Sequence, residues 1–163
     1  MTASATSNIE LRPITADDEE FLVRVYGSTR EAELALVPWD AAQREMFIRF
    51  QYQAQRNHYQ SEYPDAEALL VLFDGQAAGR LYLHRRAHEI RLLDFTLAPE
   101  QRTHPAGVEL IRNLMAEAEA AAQPLNIHLE TLNWAQALFE QLGFVPVVNN
   151  GAHVLYEWRA AQA

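Results

Sequence analysis

The chain has 163 residues, 49% of them hydrophobic and 21% charged, and its 13 Lys and Arg against 22 Asp and Glu leave a formal charge of −9. These figures fit one compact globular domain and exclude collagen-like repeats and wholesale disorder. With no cysteine, a disulfide framework, a thiol nucleophile and a thiolate metal site are excluded as well.

The acidic balance disfavours non-specific nucleic-acid binding, which depends on Lys and Arg neutralising phosphates, and mildly favours a cationic substrate. No apolar run reaches the roughly 18 residues of a membrane span, and Met1–Ser7 lacks the basic and apolar regions of a signal peptide. A soluble, cytoplasmic protein without nucleic-acid or membrane partners is expected. Residues 1–7 read as a flexible tail, 8–159 as one domain and 160–163 as a C-terminal tail. A homodimer is left open.

Ile9 to Arg12 alternates and stops at Pro13, the pattern of an edge strand. Thr15 is placed to cap a first helix whose opening turn is acidic, with Phe21, Leu22 and Val25 at helical spacing. A second helix is expected from Asp40 to Tyr63-Pro64, with Phe47, Phe50 and Ala54 on its apolar stripe. Leu69–Phe73 and Gly79–Arg85 form a hairpin across Asp74-Gly75, because both turn positions tolerate positive φ.

The fourth strand carries an irregularity. Ile90 and Leu92 share one parity, whereas Leu93, Phe95 and Leu97 share the other, which implies a β-bulge within it. A helix then opens near Pro105 with Gly107, Leu110, Ile111, Leu114, Met115 and Ala118 on its buried side. Leu125–Thr131 is the fifth strand and Trp134–Leu142 a short helix stopped by Gly143. Phe144–Val148 and His153–Trp158 close the chain as a hairpin across Asn149-Asn150-Gly151.

One segment combines a strand exit, a glycine and a helix start: Leu97 through Gly107. Unpaired amides at such a helix start attract an anion, and Gly107 allows close approach of a phosphate. On the alternative reading Pro105 only starts a helix and Gly107 only packs against the sheet.

With these elements in place the chain resembles the GNAT superfamily of acyl-CoA-dependent N-acyltransferases. The resemblance spans about residues 8–159. It is carried by the element order, Asp74-Gly75-Gln76, Leu97-Ala98-Pro99-Glu100 leading to Arg102, and Asn133 through Leu138-Phe139-Glu140-Gln141-Leu142-Gly143-Phe144. It implies an α/β fold with a mixed, mostly antiparallel seven-stranded sheet, strands four and five splayed apart, and four flanking helices. The implied activity is transfer of an acetyl group from acetyl-CoA, as cosubstrate, to an amine on a small molecule or peptide.

The same resemblance places the pantetheine arm against the fourth strand's backbone, at Phe95 and Leu97. The family's pyrophosphate loop, Q/R-x-x-G-x-G/A, falls on Arg102 to Gly107. Arg102 and Gly107 match, but Pro105 holds the first glycine position and has no N–H to donate. That leaves the amides of Thr103, His104, Ala106, Gly107 and Val108, or the side chains of Arg102 and His104, for the phosphates. Asn133 and Phe139 are the remaining implied cofactor contacts. Phe139 stands where many members carry a tyrosine that protonates the leaving thiolate, and a phenyl ring has no such proton. It also fits a buried stripe with Ala135, Leu138 and Leu142.

An ammonium acceptor must lose a proton before or during attack, and a carboxylate or imidazole near strand four or five can take it. Asp94, beside the expected bulge, is the first choice, with His128, Glu130 and His84 behind it. Since neighbours alternate across a sheet, not all four can face one cleft. Trp39, Tyr52, Tyr59 and Tyr63 line a substrate pocket on the family reading and form core on the plain one. His84 and His88, four apart on a strand and turn, read as surface rather than as metal ligands, and no metal is expected. The rival to the enzyme reading is a GNAT-shaped binding module without turnover, which Pro105 and Phe139 both favour.

Overall fold

The computed structural model describes residues 7–131 and 133–161. Of the expected tails at residues 1–7 and 160–163, residues 1–6 and 162–163 lie outside the described residues. The strands are β1 (Ile9–Pro13), β2 (Glu67–Phe73), β3 (Gln76–Arg85), β4 (Ile90–Leu97), β5 (Leu125–Glu130), β6 (Val145–Asn149) and β7 (His153–Trp158). The helices are α1 (Glu19–Ser28), α2 (Glu31–Leu34), α3 (Ala41–Glu62), α4 (Ala106–Ala120) and α5 (Gln136–Gln141), with single 3-10 turns at Ala16–Asp18 and Pro99–Gln101. Five helices rather than four therefore flank the sheet among the described residues. The extra one, α2, is a single turn, too short to leave an amphipathic period in the sequence.

All seven strands form one sheet in the order β1-β2-β3-β4-β5-β7-β6. Every neighbouring pair is antiparallel except the central β4 and β5. Strand alternation sorts the side chains into two cores. Leu81, Leu92, Phe95, Leu97, Ile127 and Leu129 meet α4 and α5 on one face, and Leu70 meets Leu22, Val23, Tyr26 and Tyr52 of α1 and α3 on the other.

Asp74 and Gly75 turn the β2–β3 hairpin with φ of 51° and 82°, the two positive values a type I′ turn requires. Thr15 is the N-cap of the Ala16–Asp18 turn that leads into α1, and it pairs with Asp18 in a capping box. Its amide donates to Asp18 Oδ2 at 2.8 Å and its hydroxyl to the same oxygen at 3.3 Å, while Arg12 holds that carboxylate from β1 at 2.8 and 2.9 Å. The hydrogen bonds and charge of Arg12, against some opposing burial, hold the Asp18 carboxyl down at about 2.

The start of α3 matches the reading at Asp40, whose carboxylate accepts from the Gln43 amide at 2.8 Å, but its apolar stripe does not. Phe50 and Ala54 face solvent, and the inward side is Ile48, Tyr52, Gln55 and Tyr59.

Three features of β4 shape the site. Tyr82 pairs with Asp94 and Leu83 with Leu92, so Leu93 is an extra residue, a bulge at the expected place. Leu93 itself departs from the expectation. It lines a cavity on the α1–α3 side instead of joining Phe95 and Leu97 in the α4 core. Finally, β4 and β5 pair only through Ile90, Arg91 and Leu92 against Leu125, Asn126 and Ile127. Past the bulge the two strands part.

Candidate active site

Where β4 and β5 separate, a cavity of about 600 Å³ opens on the α1–α3 side of the sheet. Its floor is Leu93, Asp94 and Thr96 from β4 with His128 and Glu130 from β5. The turn after α1 and the inner face of α3 supply one wall, and Asn150 and His153 of the last hairpin supply another. Asp94, His128 and Glu130 are thus brought together. His84 is not among the lining residues; it packs 5.8 Å from Tyr63 farther along β3. His88 lies exposed in the β3–β4 turn. Among the described residues no group of three or more His, Asp or Glu could hold a metal.

The three candidate bases differ in how they are engaged. Asp94 accepts from the buried Arg80 Nε at 2.7 Å and from Thr96 Oγ1 at 3.0 Å. Arg80 also donates to Gln55 and lies over the rings of Tyr82 and Tyr52 at 5.1 and 5.7 Å. Glu130 is gripped by both terminal nitrogens of Arg30, one of them at 3.0 Å, and Arg30 also pairs with Glu33 at 3.0 Å. Two carboxylates are thereby committed to arginines. His128 lines the cavity, and burial, followed by the charges of Arg91 and His153, lowers its pKa against a weaker opposing pull from Glu89. At neutral pH it carries a free imidazole lone pair.

Arg80, Arg30 and His153 were not singled out from the sequence. An arginine and an aspartate on facing strands, at polar positions among apolar ones, are a signal for the first. The Arg30–Glu130 pair joins residues a hundred apart and leaves no local trace.

Of the four aromatics weighed as pocket lining, Tyr59 and Tyr63 line the cavity. Tyr52 is buried beneath Arg80, and Trp39 packs on Phe47 at 5.3 Å near the surface. The Tyr59 hydroxyl donates to the Leu93 carbonyl in the bulge at 3.3 Å. Burial, then the Asp94 charge, pushes its phenol upward, so it remains protonated.

The backbone of β4 beyond the bulge bears on ligand binding. Ala98 N–H bonds to Ala78 of β3 at 2.8 Å. Because main-chain groups alternate sides along a strand, those of Leu97 and Phe95 point away from β3, into the gap left by β5. Gly79 makes this arrangement possible: a Cβ there would lie 2.1 Å from the Thr96 carbonyl oxygen and 2.9 Å from Leu97 Cα.

The loop after β4 is more self-contained. His104 Nδ1 accepts the Ala106 amide at 3.0 Å, its Nε2 meets Asp74 Oδ2 at 3.2 Å, and its ring stacks 5.0 Å from Phe73. The Gly107 amide bonds back to the His104 carbonyl at 3.1 Å. Gly107 is buried, its missing Cβ 3.4 Å from Leu97. Thr103 is exposed and Val108 half-buried. Arg102 reaches the cavity, its guanidinium 5.3 Å above the Trp134 ring and its Nη2 3.5 Å from Ser28 Oγ.

Asn133 lines the cavity, but its side chain accepts the Ala135 amide at 2.8 Å and so opens the last helix. Phe139 is fully buried, edge-on to Phe95 and Phe144 at 6.1 and 5.0 Å. The structure puts it in the core, as the buried-stripe reading has it.

The profile of the Acetyltransferase (GNAT) family matches residues 33–144. The chain belongs to the GNAT acetyltransferase family. Solved structures agree in fold. The PaiA N-acetyltransferase of Thermoplasma acidophilum in complex with coenzyme A is 19% identical, with a TM-score of 0.66 over 94% of this chain and 99% of that one. PH1933 of Pyrococcus horikoshii is 14% identical, with a TM-score of 0.67 over 96% and 100%. The ribosomal-protein-S18-alanine N-acetyltransferase of Escherichia coli is 15% identical, with a TM-score of 0.57 over 96% of each chain. No curated protein matches the sequence. Among the described residues no helix is long and apolar enough to cross a membrane.

Proposed function

We propose that this protein transfers an acetyl group from acetyl-CoA to an amine by direct attack, both substrates being bound at once. The observation that carries the reading is the parting of β4 from β5 after three residue pairs, which leaves Phe95 and Leu97 main-chain groups facing a gap beside a neutral imidazole. These fit an amide-bearing pantetheine arm. When bound, acetyl-CoA supplies an activated acyl group as a thioester.

The chain's own part is positioning and proton transfer. An amine nitrogen forms the new N–C bond, the C–S bond breaks with its electrons on sulfur, and the amine proton passes to His128, directly or through water. Asp94 and Glu130, held by arginines, position the cavity walls. Phe139 has no proton to give, so the thiolate leaves with a proton from water or departs unaided.

A second reading, a binding module without turnover, draws support from the loop before α4. Pro105 lacks an N–H and the Ala106 amide is already taken by His104, so the pyrophosphate finds fewer donors than the family motif provides. Calorimetric titration with acetyl-CoA and CoA, together with CoA release in the presence of amine panels, tests both. Binding with turnover supports the transferase, binding without turnover on any amine supports the module, and no binding overturns both.

A further inference from the structure

The cavity's charges are unevenly satisfied. Each of its carboxylates has an arginine: Asp94 has Arg80 at 2.7 Å, and Glu33 and Glu130 share Arg30. Arg102 has no such partner. Among the described residues no carboxylate lies within 4.0 Å of it, and its polar contact is the long one to Ser28. Hydrogen bonding is unbalanced in the same sense. Arg80 Nη1, Arg102 Nε and Trp134 Nε1 are buried without acceptors, and all three residues line this cavity. A guanidinium and an indole can only donate. What Arg102 lacks is an acceptor with negative charge.

Two sources of that anion are conceivable, a phosphate of the cosubstrate or a carboxylate of the amine. The side chain's placement favours the second. Arg102 does not lie along the amides that open α4. It extends toward Ser28 at the end of α1 and over Trp134 before α5, into the space shared with His128 and Glu130. Resting on the acetyltransferase reading, we propose that the acceptor is a small amine bearing its own carboxylate, of which an α-amino acid is the simplest form, with Arg102 as the residue that reads the carboxylate. The arginine fork suits a planar, two-oxygen group. This departs from the expectation of a cationic acceptor drawn from the net charge of −9, because the three carboxylates that line the cavity, Glu33, Asp94 and Glu130, are matched in number by Arg30, Arg80 and Arg102.

The test measures CoA release with acetyl-CoA and matched triplets: an α-amino acid, its amide, and the amine lacking the carboxylate. Phenylalanine, phenylalaninamide and 2-phenylethylamine make one set, and the other common side chains make further ones. In at least one set the amino acid should exceed both partners by about tenfold or more in kcat/KM, since a site left with unpaired polar groups rejects the analogue that lacks their partner. Arg102→Gln should reduce that ratio to about one while the calorimetric Kd for acetyl-CoA and the melting temperature hold, and Arg102→Lys should restore part of it.

Equal or better turnover of the amides and simple amines overturns the proposal, and so does failure of every amino acid. So does an Arg102→Gln variant that weakens acetyl-CoA binding and keeps the ratio, which would give Arg102 to the phosphates. The acetyltransferase reading fails separately, by absence of acetyl-CoA binding to the wild-type protein or by binding without turnover of any amine, with or without a carboxylate.

Discussion

Phe139 is where family pattern and local physics part most sharply. Its ring lies at 0% exposure between Phe95 and Phe144, so Phe139→Tyr should not rescue an acid function. It should bury a hydroxyl without a partner and lower stability by about 1–3 kcal/mol, read as a fall in melting temperature with no gain in rate. His128 is the opposite case, a polar group left free. Its depressed pKa means that the base form persists below the usual imidazole value of about 6.5 and is lost only at lower pH. The acid limb of kcat/KM should therefore lie below that value and disappear in His128→Gln, which is checked by a pH–rate profile of both proteins. His104 makes a third residue-scale prediction. Replacing it with alanine frees the Ala106 amide, and CoA should bind about 0.5–1.5 kcal/mol more tightly by calorimetry; weaker binding would show that the imidazole itself meets the phosphates.

At the level of elements, the bulge of β4 was legible because two apolar parities met within one strand, and a single extra residue is the ordinary way to reconcile them. The destination of Leu93 was not legible, since an apolar side chain suits a cavity floor as well as a core. The inward face of α3 was misread for a related reason. Tyr52, Gln55 and Tyr59 score as polar or ambiguous, yet they are held inside by Arg80 and the Leu93 carbonyl, contacts from distant strands that no helical period reveals. Gly79 likewise passed as an ordinary strand residue. Its role follows from β3 and β4 approaching so closely that a Cβ would meet the Thr96 carbonyl. Gly79→Ala should cost at least about 2 kcal/mol and displace the β4 segment that lines the gap, so denaturant unfolding and acetyl-CoA affinity should deteriorate together.

Across the whole molecule, the sheet is a four-stranded and a three-stranded half, β1 to β4 and β5-β7-β6, joined by three parallel residue pairs. Core packing against α4 and α5 holds the halves together on one face, leaving the open end of the gap to be spanned by whatever binds there. A ligand that bonds Phe95 and Leu97 closes main-chain groups left open by the parting of the strands, and it binds only the folded chain. Acetyl-CoA at 100 times its Kd should then raise stability by about 2.7 kcal/mol, roughly 5–11 °C in melting temperature for a chain of this size. Hydrogen exchange locates the effect. The Phe95 and Leu97 amides should slow on addition of CoA, whereas those of Arg80 and Tyr82, within the β3–β4 ladder, should change little. Exchange that slows uniformly, or only at α4, would place the ligand on the helix start rather than in the gap between the two halves of the sheet.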